Sequence, residues 1–322
     1  LDYPITVYYA FKQAELEHEG VASTGWSTLL EGMISSGWAI TATWPVRSER
    51  SGRMISVGTN ALASSIVLAL RPRPEAAGTT NRRGFLAALK AELPDAIEHL
   101  VQGGVAPVDL AQATIGPGIG VFSRYARVLE SDGSAMSVKT ALALINQVVD
   151  EVQSEMDAEL DADTRFCLDW YRQHAWTSQP FGDADTLARA KNTSVDGLAR
   201  GGVLTSSAGK VALIAPADLD PTWDPALDDR TSLWEVTCHL ARAYDAEGSE
   251  AAARLLAAVG NRVDHDSVQR LAGRLYELSQ DSRPADALLF NGLGTAWADL
   301  THKARTLPRT ASQGGFDLDA LD

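Results

Sequence analysis

Residues 5–73 read as strand, helix, strand, strand, and nearly everything after them reads as helix. That switch constrains the fold more than any other feature of the chain. "ITVYYAFK" (5–12) is β-branched and aromatic without strict alternation, the pattern of a strand buried on both faces. "TGWSTLLEGMISSGW" (24–38) sets Trp26, Leu29, Leu30, Met33 and Ile34 at helical spacing, with Gly37 placed to stop the helix. "AITATWPV" (39–46) and "NALASSIVLALRPR" (60–73) are strands again. A strand–helix–strand unit crosses over right-handed and covers one face of its sheet. The third strand follows a loop short enough to bring it back antiparallel.

Beyond Arg71 the Pro- and Gly-punctuated "RPRPEAAGTTNRR" reads as a linker or surface loop. "FLAALKAELPDAIEHLV" (85–101) is amphipathic and expected to break at Pro94. In "SVKTALALINQVVDEVQSEM" (137–156), Val138, Leu142, Ile145, Val149, Val152 and Met156 recur in steps of four and three behind a Ser137 cap. "DADTRFCLDWYRQHAW" (161–176) is a helix with an aromatic face. Residues 183–214 then run helix, turn at Asn192-Thr193, helix ended by Gly201-Gly202, and two short strands around "SSAGK", a winged-helix order. Amphipathic helices fill the remainder, and a low-order tail is expected after about Arg305.

Charge is segregated. The net charge is −14, yet residues 41–90 hold eight Lys/Arg (Arg47, Arg50, Arg53, Arg71, Arg73, Arg82, Arg83, Lys90) against Glu49 and Glu75. That window is +6 and the rest is −20. An acidic protein repels nucleic acid except where such an island offsets it. Arg47, Arg50 and Arg53, just past a strand that ends a crossover, are placed to meet phosphate or base edges. The competing reading is a solvated loop that only offsets its acidic surroundings.

Cys167 and Cys238 lie far apart in apolar helical patterns and read as buried free thiols. The six histidines are scattered singly, without the spacing of a zinc motif. No apolar run reaches membrane-spanning length, and "LDYPITVYYAFK" has no leader pattern, so a cytoplasmic location is expected. The chain also starts with Leu and enters a strand at once, as if cut from something longer. "ATIGPGIGVFSRY" (113–125) matches neither GxGxxG with its acidic partner nor a Walker A loop, and Pro117 removes a donor, so a structural turn is expected. Asp264, His265, Asp266 and Ser267 are consecutive, which suits a helix cap rather than a triad assembled in space. The second helix of the winged-helix stretch, "TSVDGLARGG", offers only Arg200 with Lys191 before it and Lys210 in the wing. Protein packing competes with DNA reading there on even terms.

"ITVYYAFKQAE", "TGWSTLLEGMISSGWAITATWPVRSE" and "GTNALASSIVLALRPRP" resemble the C-terminal part of large bacterial adenine-specific DNA methyltransferases. These carry an uncharacterised conserved domain and are often found in phage-defence operons. "IGPGIGVFSRYARVLE", "MSVKTALALINQVVDEV" and "FGDADTLARAKNTSVDGL" resemble their helical extension. The resemblance implies the last three strands of an S-adenosylmethionine-dependent, Rossmann-like methyltransferase sheet, whose final antiparallel strand inserts between the two before it. It also implies what is missing. The family's glycine-rich cofactor loop and its Asp/Asn-Pro-Pro-Tyr motif, which holds a flipped adenine, both precede these strands. No Pro-Pro pair occurs in the chain.

The expected architecture is therefore α/β followed by mostly α. Methyltransferase strands occupy 1–73, a linker and helical segment 74–136, and a helical segment 137–182. A winged-helix-like segment spans 183–230, a further helical segment 231–305, and a disordered tail 306–322. The expected role is to close a catalytic sheet and contribute DNA or partner recognition in DNA modification or phage defence, as a gene fragment or a split subunit. The rival is a non-catalytic DNA-binding or adaptor module. S-adenosylmethionine belongs to the intact enzyme and is not expected on this chain alone. Expected partners are DNA, an N-terminal methyltransferase segment or other defence-operon proteins, and no membrane. Candidate DNA contacts are Arg47, Arg50, Arg53, Asn60, Arg82, Arg83, Lys191, Arg200 and Lys210.

Overall fold

A computed structural model describes residues 3–10, 24–46 and 65–307. Three strands, β1 (Ile5–Ala10), β2 (Trp38–Val46) and β3 (Ser65–Pro72), form a sheet in the order β1-β3-β2. The central β3 is antiparallel to both neighbours. Helix α1 (Thr24–Ser35) lies between β1 and β2 in the chain, and Gly37, at φ 87, turns the chain out of it.

The two faces of this sheet differ. Val7, Tyr9, Ile40, Thr43, Ile66, Leu68 and Leu70 line the core face. A bulge at Thr41 puts both Ile40 and Thr43 on that side, where strict alternation would separate them. The opposite face carries the row Tyr8, Val67, Trp44; Tyr8 is 72% exposed and Trp44 45%, while Val67 is half-buried. The first strand is therefore not buried on both faces as its composition predicts. Among the described residues it is an edge strand, covered on one face and largely exposed on the other.

The next layer is helical. A two-strand parallel ladder of β4 (Thr79–Asn81) and β5 (Arg127–Leu129) brackets α2 (Arg82–Gln102) and α3 (Pro107–Ser123). Asn81 caps α2, its side chain accepting the Gly84 N–H at 2.9 Å. Pro94 does not break α2, which continues to Gln102. An interior proline costs about 3 kcal/mol, but each of Leu89, Leu93 and Ile97 is fully buried at roughly 1.5–3 kcal/mol and holds the helix together.

The glycine-rich stretch 113–125 is a further correction: most of it is α3, not a turn. A Cβ on Gly116 would overlap the Thr43 hydroxyl, one on Gly118 would come 2.5 Å from Ile145, and one on Gly120 3.2 Å from the Ile40 carbonyl. Gly116 and Gly120, four residues apart, make a flat side that lets α3 lie against the edge of β2, while Gly118 on the other side leaves room for Ile145. Ser123 completes the seal by accepting the Ile40 N–H at 2.9 Å. The β2 edge is thus covered, whereas β1 has no partner on its outer edge among the described residues.

Helix α4 (Val138–Ala158), capped by Ser137, closes this first core with the stripe its spacing predicts. The second core gathers α5 (Ala162–His174), β6 (Gln179–Pro180), α6 (Phe181–Ala190), α7 (Val195–Arg200), β7 (Leu204–Ser207) and β8 (Lys210–Leu213). It continues through α8 (Leu233–Glu247), α9 (Ser249–Val259), α10 (His265–Ser279) and α11 (Pro284–Thr306). Strands β6, β8 and β7 form an antiparallel sheet in that order. Asp264 caps α10 through Ser267, as its sequence suggests. Both cysteines are buried and free. Of the expected tail, Thr306 is the last residue of α11, and residues 308–322 lie outside the described ones. No described helix is long and apolar enough to cross a membrane.

Candidate nucleic-acid interface

Arg47, Arg50, Arg53 and Asn60 lie outside the described residues. The rest of the basic island is described, and much of it is engaged within the chain. Arg73 donates to the carbonyls of Ile34, Ser123 and Tyr125 at 3.2–3.4 Å, a cation at the C-terminal ends of α1 and α3. Lys90 meets Glu151 at 2.6 Å, and Arg82, the first residue of α2, meets Glu130 at 3.4 Å. Arg71 and Arg83 are exposed. The +6 window is therefore not a uniform positive surface.

The second group of candidates is divided in the same way. Asn192 takes φ 61, a left-handed turn that Asn tolerates, and so separates α6 from α7. Beside it Lys191 reaches Asp169 at 2.5 Å. This pair starts a chain of ion pairs: Arg172 bridges Asp169 at 3.0 Å and Asp157 at 3.3 Å. Arg274 then joins Asp157 at 3.1 Å to Glu277 at 2.8 Å. Lys191 therefore ties the turn to α5 and, through it, to α4 and α10. Arg200 is exposed at the end of α7 and donates to the Asp196 carbonyl at 3.3 Å. Lys210 is exposed after the hairpin turn, where Ala208 and Gly209 both take positive φ. Lys191 closes α6, Arg200 ends α7 and Lys210 begins β8.

A polar clamp that no sequence motif announces holds this unit together. Arg230 donates to both Asp163 oxygens, at 2.8 and 2.9 Å, and to the Thr193 hydroxyl at 3.0 Å, while Thr193 donates to Asp163. A Cβ on Gly197 would come 2.9 Å from the Arg230 guanidinium, so the arginine lies along α7. Asp161 accepts from Thr164 and from the Leu233 N–H, pinning the start of α8 to the start of α5. The partners are 30 to 72 residues apart in sequence, so no local pattern announces them.

Under the loop before α8, the buried Glu235 lies beside the half-buried Asp228. Ser232 caps α8 and accepts the Glu235 N–H at 3.2 Å; Glu235 is 2% exposed, and its Oε2 has no hydrogen-bond partner among the described residues. Burial first, and the Asp228 carboxylate second, push the Glu235 carboxyl up to about 9, so it is neutral near pH 7. One turn on, His239 stacks on Trp223 at 4.2 Å, and the Trp223 indole donates to Asp228 at 3.1 Å. Burial, with Arg242 nearby, lowers His239 to about 4. The Ser232-x-x-Glu235 spacing of a helix cap is the local signal that sequence reasoning missed in this cluster. Its geometry fastens the loop; no cleft leads a substrate to it among the described pockets.

Residues 161–316 match the model of a family described as a domain of unknown function, DUF8807, just under half of the chain. The matched stretch begins at Asp161, the cap of α5, and takes in the clamp, the acid pair and all the helices of the second core. No curated protein and no solved structure matches the chain.

Proposed function

We propose that this chain is the C-terminal portion of an adenine-specific DNA methyltransferase, with residues 5–72 supplying the last strands of its sheet. The observation that carries the reading is the strand order. Two strands joined by a helical crossover, with a returning antiparallel strand inserted between them, is the arrangement the resemblance implies for the end of that sheet. The outer edge of β1, which has no partner among the described residues, is where such a sheet would continue. In this reading Arg47, Arg50 and Arg53, which follow β2, sit at the rim of the cleft and hold duplex phosphates, and DNA modification or phage defence is the setting.

The residues present do not fit the cofactor. S-adenosylmethionine needs the glycine-rich loop and the Pro-Pro-Tyr segment of its family, and residues 1–322 carry neither. No methyl-transfer step is assigned to this chain. Its own residues position DNA and complete the sheet.

The winged-helix order α5, β6, α6, α7, β7, β8, with β8 between β6 and β7, supports a recognition module. Its charges favour a protein partner over DNA as what it recognises. Lys191 is held by Asp169, Arg189 by Asp185 at 2.8 Å, and Arg230 lies against α7, so few cations remain for phosphates. Calorimetric titration tests the division of labour. S-adenosylmethionine should give no binding to residues 1–322, whereas duplex DNA should bind with an affinity that falls as salt rises. Micromolar cofactor binding, or no DNA binding at low salt, would contradict the proposal.

A further inference from the structure

We propose that the pocket between the end of α2 and the facing sides of α10 and α11 binds a nucleoside monophosphate whose base carries an amino group beside a ring nitrogen, as adenine and cytosine do. It shares no residue with the strands and arginines on which the methyltransferase reading rests.

The pocket offers about 360 Å³, inside the roughly 300–1,000 Å³ range of small-molecule sites. Two of the side chains that line it are nearly buried, Gln269 at 6% exposed and Trp297 at 3%. Each brings one polar atom without a partner. The Val101 carbonyl can only accept, so the Gln269 amide turns its nitrogen towards it, at 2.9 Å, and its Oε1 away. Among the described residues that oxygen accepts no hydrogen bond, and the Trp297 indole N–H finds no acceptor. Neither atom is sealed in the core, as the indole nitrogen of Trp170 is, so both open into the pocket. Polar atoms on side chains this buried are ordinarily paired.

An acceptor and a donor on two neighbouring helices require a donor and an acceptor side by side on the ligand. A peptide group does not provide them, because its N–H and C=O point in opposite directions. The amino group and adjacent ring nitrogen of adenine or cytosine do, the amino group donating to Gln269 and the ring nitrogen accepting from Trp297. Asp266, whose Oδ2 accepts from Gln102 Nε2 at 3.3 Å, is the carboxylate lining the pocket and favours the amino group.

The other end is cationic. His302 and Arg305 are exposed, line the pocket and form no ion pair among the described residues, whereas Lys303 between them is held by Asp299 at 2.7 Å. At 1.5 Å per residue they lie about 7.5 and 12 Å along α11 from Trp297, which matches the reach from a base edge to its 5′-phosphate. A phosphate there gains charge-assisted hydrogen bonds from the guanidinium.

The test uses the whole chain with isotope-labelled tryptophan indoles and three probes: adenosine 5′-monophosphate, inosine 5′-monophosphate and adenosine. The adenine nucleotide should shift, saturably, the one indole resonance that Trp297→Phe removes. Inosine monophosphate reverses donor and acceptor on the base edge, and adenosine lacks the phosphate; each should bind about tenfold more weakly or worse. Arg305→Glu should lower the affinity for the adenine nucleotide to that for adenosine. Ala298→Phe, at an exposed residue of the lining, should fill the pocket and abolish the shift. Melting temperatures of both variants should match the native chain. No saturable shift in the millimolar range would overturn the proposal, as would equal binding of inosine monophosphate or of adenosine, which is read on the native chain alone. Unchanged binding to Ala298→Phe would also overturn it.

Discussion

Glu235 and His239 sit one turn apart on α8 and pull the pH dependence of stability in opposite directions. Glu235 keeps its proton in the fold up to about 9, against an ordinary value of 4.5. The unfolded chain releases that proton earlier, so stability falls as pH rises from about 4.5 towards 9, by at most about 1.4 kcal/mol per unit. His239 is held neutral down to about 4 against an ordinary 6.5. Its contribution is complete above 6.5 and is lost as pH falls through 4. Glu235→Gln keeps the size of the side chain and removes the first titration. Thermal melts should show the variant gaining on the native chain between pH 7 and 8.5; parallel pH slopes would contradict the burial of this acid. At this scale the caps were legible, because Ser137 and Asp264 act on residues three positions away. The clamp of Asp163, Thr193 and Arg230 was not, because it is made only when three distant segments meet.

Among the elements, long amphipathic helices read plainly and α3 did not. Glycines and Pro117 argue locally for a turn, but a helix with Gly116 and Gly120 against the edge of β2 and Gly118 against Ile145 packs closely on both sides. Tertiary demand overrode propensity there, as it did at Pro94. The same reasoning separates two alanine substitutions that look alike in sequence. Gly32 of α1 has nothing within 4 Å of its missing Cβ, so Gly32→Ala should stabilise by about 0.5–1 kcal/mol. Gly116→Ala drives a methyl group into Thr43 and should cost roughly 1–3 kcal/mol. Urea denaturation of the pair checks this, and equal effects would show that α3 does not press on β2.

For the whole molecule, two cores share a seam at α3, α4 and α10, and the chain of ion pairs from Lys191 to Glu277 crosses it. The strand–helix–strand–strand order was legible because each element carries its own periodicity. The open face of the sheet was not, because a strand covered on one side and aromatic on the other has the same composition as one buried twice. The same limit applies to charge: a window of +6 does not tell which arginines face outward, and Arg73 turned out to cap two helices. The proposed DNA contact therefore falls to Arg47, Arg50 and Arg53. The most direct measurement is the salt dependence of duplex DNA binding, by fluorescence anisotropy, for the native chain and for the variant with all three arginines replaced by alanine. Each neutralised phosphate contributes about −0.9 to the log–log slope, so the variant should bind more weakly with a slope shallower by about 2 to 3. A triple variant that keeps the native slope would show that these arginines do not contact phosphates and that this face is not the DNA side of a methyltransferase.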